Sequence, residues 1–66
     1  MTLQDSFLLF RRLGVDVSAL STQEFAKAYL GLAKRYHPDI GNQPTGHLMA
    51  NINAARASVL QAYRRD

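Results

Sequence analysis

Pro38 interrupts a run of helical periodicity, and that interruption limits the possible folds more than any other feature of the chain. From Thr22 to Tyr36 the apolar positions are Phe25, Ala28, Tyr29, Leu32, Ala33 and Tyr36. Their spacing of i, i+3, i+4, i+7, i+8 and i+11 draws one stripe along a helix. Pro38 disfavours helical backbone angles at His37, so the helix is expected to end near Tyr36. At its other end Ser21-Thr22-Gln23-Glu24 matches a capping box, with Ser21 as the cap and Glu24 reaching back to it. A helix bounded on both sides has to bury its stripe against the rest of a short chain.

The partner for that stripe lies downstream. His37 to Gly46 reads as a loop punctuated by Gly41, Pro44 and Gly46. A further helix is expected from Gly46 or His47 to Arg64 or Arg65, capped by Thr45. Its stripe is Leu48, Met49, Ile52, Ala55, Val59, Ala62 and Tyr63, and the alanines at 54, 55, 57 and 62 favour helix. Two long helices with facing stripes and a short connection imply an antiparallel hairpin.

Upstream, residues 3–13 read as a shorter helix, with Leu3, Phe7, Phe10 and Leu13 at helical spacing and Leu8 and Leu9 thickening the stripe. Gly14 is the expected stop. Val15 to Leu20 is a connection whose Val and Leu side chains tuck under the core. The first helix is expected to cover the open side of the hairpin. No strand pattern, internal repeat or low-complexity segment is visible, so the expected fold is all-α and the expected organisation is one domain over residues 1–66.

Composition narrows the function classes. A 66-residue chain buries only about 60% of its unfolded surface, so it must pack efficiently or join something larger. Its 47% apolar content is too high for a disordered tail. Without Cys there is no disulfide framework, thiolate metal site or Cys nucleophile. The net charge of +3 suits an acidic protein or nucleic-acid partner. Phe7-Leu8-Leu9-Phe10 is the longest bulky apolar run, far below the roughly 18 residues that span a bilayer. Arg11 and Arg12 follow that run, whereas a signal peptide carries its charge before it. The expectation is a cytoplasmic protein with no membrane partner.

The sequence between the two long helices, Tyr36-His37-Pro38-Asp39, places a His and an Asp at the tip of the hairpin. In this frame the chain resembles the J-domain, the co-chaperone module of the DnaJ family. Phe10-x-x-Leu13-Gly14-Val15 is similar to the family's aromatic-x-x-Leu-Gly-Val signature closing helix one. Ala28-Tyr29-x-x-Leu32-Ala33-x-x-Tyr36-His37-Pro38-Asp39 follows its helix-two pattern. Met49-x-x-Ile52-Asn53-x-Ala55-Arg56 follows Phe-x-x-Ile-Asn-x-Ala-Tyr, with Met for Phe and Arg for Tyr. The likeness covers about residues 6–60.

The resemblance implies that His37, Pro38 and Asp39 engage the ATPase domain of a DnaK-type heat-shock chaperone and promote its ATP hydrolysis. An exposed Asp39 suits a charge-assisted, bidentate contact with a partner Arg, and Pro38 lowers the ordering cost of docking. The reaction would occur in the partner, so the chain itself would be no enzyme and would need no cofactor, metal or small-molecule ligand. Lys27, Leu30, Lys34 and Arg35 on the outer face of helix two would complete the docking surface. The sequence departs from the family there, since Ala26, Leu30 and Gly31 stand where members usually carry basic residues. Arg12 replaces an aliphatic residue, and no fourth helix, Gly/Phe-rich linker or zinc region is visible.

Blander and rival readings follow from the same residues. Pro38 and Asp39 alone are a helix stop and a turn, and any one of Lys27, Lys34 and Arg35 fits an ordinary solvated face. Tyr29 and Tyr36 fall on the core stripe, where a wet hydroxyl is common, and Asn53 suits a structural polar contact. A J-like module without stimulating activity is the first alternative. Arg11, Arg12, Arg56, Arg64 and Arg65 could contact phosphates, but they are scattered over three helices with no dense recognition cluster. His37, Asp39 and His47 are a possible metal set, spread over ten residues of loop with no visible supporting shell.

Overall fold

The computed structural model describes residues 1–36 and 46–64. Three helices follow one another: α1 over Leu3–Arg12, α2 over Thr22–Tyr36 and α3 over Gly46–Arg64, with a short 3-10 turn at Val17–Ala19 between the first two. Among the described residues there is no strand. The bounds of α1 and the start of α2 sit within a residue of where the sequence signals place them. The loop expected between α2 and α3, and its cap Thr45, lie outside the described residues.

Both ends of α1 and the start of α2 have a local cause. Thr2 accepts a hydrogen bond from the Asp5 amide at 3.1 Å and starts α1. Its end is a Schellman turn: Gly14 sits at φ 88°, the Gly14 amide donates to the Arg11 carbonyl, and the Val15 amide donates to the Phe10 carbonyl at 2.8 Å. Val15 then packs back on the core that contains Phe10. The motif Phe10-x-x-Leu13-Gly14-Val15 thus has a direct physical meaning. Phe10 is a core residue and Val15 packs on that core, and Gly14 takes the left-handed angle. At α2 the capping box is closed both ways, with the Glu24 amide donating to Ser21 Oγ at 3.1 Å and the Ser21 amide to Glu24 Oε1 at 2.9 Å. That hydrogen bonding to Ser21 holds the Glu24 carboxyl below its ordinary pKa.

The core consists of Phe10, Val17, Phe25, Leu32, Met49, Ile52, Ala55 and Val59. Phe10 meets Phe25 edge to face at 5.1 Å, and Phe25 meets Tyr63 at 6.1 Å, so one aromatic cluster joins all three helices. Contacts between Tyr63 and Leu20, Tyr63 and Phe25, and Tyr29 with Asn53 and Arg56 pair the start of α2 with the end of α3. The hairpin is therefore antiparallel.

The stripe on α1 differs from the expected one. Leu3, Phe7 and Leu8 are exposed, whereas Ser6 and Phe10 are buried and Leu9 and Leu13 half-buried. The buried set 6, 9, 10 and 13 is itself a helical stripe, hidden from an apolar reading because one member is Ser. Its hydroxyl donates to the Thr2 carbonyl at 3.0 Å, which makes burial tolerable. Small buried residues, Ser6 on α1 and Ala55 on α3, let these helices approach closely. Among the described residues α1 packs along α3 more extensively than α2 does, so α1 is a full member of the core.

Candidate functional site

The outer face of α2 is the part of the expected docking surface that the structure describes. Phe25 and Leu32 turn inward, which fixes the phase of the helix and leaves Lys27, Leu30, Gly31, Lys34 and Arg35 exposed. Lys27, Leu30 and Lys34 fall three and four residues apart and share one stripe. Leu30 is 55% exposed, an apolar side chain between two lysines. Arg35 stands apart from that stripe, with its guanidinium 5.5 Å from the centre of the Tyr36 ring. His37, Pro38 and Asp39 lie outside the described residues. They follow directly on Tyr36, the last residue of α2.

On the flank facing α3, the Tyr29 hydroxyl lies 2.6 Å from Asn53 Oδ1 and donates to it. Arg56 lies over the same ring at 4.8 Å. Tyr29 is thus clasped from α3 at its edge and its face, a core-side tyrosine with a wet hydroxyl. Asn53 makes the structural contact its place in the sequence suggests. The role of Arg56 on Tyr29 was not legible, because no spacing rule within one helix pairs residues across a hairpin.

The remaining described basic residues stand on two different helices, and of them Arg56 and Arg64 line one shallow depression on α3. Arg11 and Arg12 are exposed on α1, and Arg56 and Arg64 on α3; Arg65 lies outside the described residues. Among the described residues no group of three or more His, Cys, Asp or Glu could hold a metal ion. Two of the three candidate ligands, His37 and Asp39, are outside them. No described helix is long and apolar enough to cross a membrane.

Comparison with known proteins gives one consistent answer. The chain is 44% identical over 54 residues, 80% of its length, to the chaperone protein DnaJ of Mycoplasma capricolum subsp. capricolum. The same figures hold for DnaJ of Mycoplasma mycoides subsp. mycoides. It is 54% identical over 35 residues, 53% of its length, to DnaJ of Lactobacillus acidophilus. The chain is J-domain-like. It spans only 9–14% of the length of these relatives. No family model matches it, and no solved structure does. The Schellman turn at Gly14 and the Tyr29–Asn53 hydrogen bond give a physical meaning to residues in the motifs quoted above.

Proposed function

We propose that residues 1–66 form one co-chaperone J-domain that recruits a DnaK-type heat-shock chaperone and stimulates its ATP hydrolysis. His37, Pro38 and Asp39 are the stimulating residues in this reading, and Lys27, Leu30, Lys34 and Arg35 are the docking residues. The observation that carries it is the 44% identity to DnaJ chaperones over 80% of the chain, supported by an all-helical fold in which α2 runs up to Tyr36, the residue before His37. The chemistry belongs to the chaperone's ATPase site, so the chain acts as a ligand rather than an enzyme, needs no cofactor of its own, and works in the cytoplasm beside its partner. The test is single-turnover ATP hydrolysis by several DnaK-type chaperones with and without the chain. A faster turnover with at least one of them is the expected result, and none with any would refute the proposal.

A second reading is favoured by one observation: exposed Leu30 and Gly31 stand where DnaJ members usually carry positive charge. A J-like module built this way docks without stimulating. Fewer charges slow electrostatically steered encounter and flatten its salt dependence. The double change Leu30→Lys with Gly31→Arg is expected to raise stimulation above that of a Gly31→Ala control. Equal stimulation by double variant and control would mean that charge at these positions does not limit docking. Stimulation below the parent would make Leu30 itself a contact.

A further inference from the structure

The α2–α3 flank holds a groove of which the docking reading uses only Leu30. Its volume is about 220 Å³, and it is lined by Phe25, Ala26, Tyr29, Leu30, Arg56 and Leu60. The floor is apolar, from the aromatic edges and Leu60. Ala26 forms a low wall, so the groove stays open where a longer side chain would cover it. Leu30 is left exposed at its lip.

The rim is positive. Lys27 and Lys34 lie three residues before and four after Leu30 on the same helical stripe. Arg56 borders the groove from α3, with its guanidinium over the Tyr29 ring. A guanidinium carries five N–H donors around its edge, arranged to match a carboxylate. No Asp or Glu lines the groove. The combination of an apolar floor, a cationic rim and a lining without carboxylates selects one kind of occupant.

We propose that this groove is a socket for an apolar side chain flanked by carboxylates on a segment of the partner protein. The proposal deepens the docking reading, on which it rests for the identity of the partner surface. The apolar anchor fills the space between Tyr29 and Leu60 against Leu30. Carboxylates on either side of it meet Arg56 on one wall and Lys27 or Lys34 on the other. Ala26 and Leu30, which weaken a purely electrostatic surface, are the residues that make the socket.

The test is a nitrogen-15 amide NMR titration of the 66-residue chain with a capped pentapeptide, Asp-Glu-Leu-Glu-Asp, up to millimolar concentration. Shifts centred on Ala26, Leu30, Arg56 and Leu60 are expected. Replacing the central Leu of the peptide by Ala is expected to weaken binding about ten-fold, as loss of a buried apolar side chain does. A Lys-Lys-Leu-Lys-Lys peptide is expected not to bind. In the chain, Ala26→Leu fills the groove and Arg56→Gln removes the rim charge, and both weaken binding while circular dichroism shows helicity retained. Absence of shifts, shifts centred elsewhere, equal binding of the Ala-anchored peptide, or equal shifts from a short oligothymidylate would each overturn the proposal. No chaperone is present in this titration, so its failure is separable from failure of ATPase stimulation.

Discussion

The hydroxyl of Tyr63, near the end of α3, donates to the carbonyl oxygen of Leu20 at 2.9 Å, across a separation of 43 residues. Leu20 immediately precedes the cap of α2, so this bond ties the last turn of α3 to the entry of α2. Burial raises the Tyr63 pKa, with a lesser contribution from the Glu24 carboxylate.

Tyr63→Phe keeps the ring against Phe25 and removes only the hydroxyl. The expected cost is about 0.5–1.5 kcal/mol, the usual net worth of such a hydrogen bond. Urea unfolding reads it as a lowered midpoint with an unchanged slope. An unchanged midpoint would mean that the bond does not hold the hairpin.

Glu24 gives the fold an acid-side dependence on pH. Its pKa is lowered from 4.5, first by the hydrogen bond from the Ser21 amide and then by that with the Ser21 hydroxyl. A depressed carboxyl contributes stability above its unfolded pKa and loses it as pH falls through the folded value. Melting temperature against pH, for the parent and Glu24→Gln, is expected to show a gap at neutral pH that closes below about 4.5, the ordinary value for this group. A gap that stays constant across that window would assign the effect to hydrogen bonding without charge.

Gly14 and Gly31 should respond oppositely to the same change. A Cβ at either position meets nothing within 4 Å, so backbone angle decides the sign. Gly14→Ala forces a side chain into the left-handed region at φ 88° and is expected to cost about 1–2 kcal/mol. Gly31→Ala, inside α2, is expected to gain about 0.8–1 kcal/mol. Thermal melts of the two variants beside the parent check both signs.

Most of the fold was legible because its signals are local. The Ser21–Glu24 box and Gly14 each fix a helix end through their own chemistry, and the stripes of α2 and α3 are long enough to fix their phase; the stop expected at Pro38 lies outside the described residues. The face of α1 was legible at Leu9, Phe10 and Leu13 but not in its first two turns. Leu3, Phe7 and Leu8 outnumber Ser6 in any count of apolar residues, yet Ser6 is buried because its hydroxyl is satisfied within its own helix and its size suits a close approach to α3. The site was legible in part: the exposure of Lys27, Leu30, Lys34 and Arg35 follows from the phase of α2. The groove was not, because Arg56 and Leu60 reach it from a helix more than twenty residues away in sequence, a pairing that only the hairpin creates.

The measurement that bears most directly on the co-chaperone reading is single-turnover ATP hydrolysis by a DnaK-type chaperone in the presence of the parent chain or Asp39→Asn. The substitution removes one charge and little packing volume, so helicity and melting temperature are expected to stay nearly unchanged. The account predicts that the parent accelerates hydrolysis and that Asp39→Asn does not. Acceleration that survives in Asp39→Asn would contradict it.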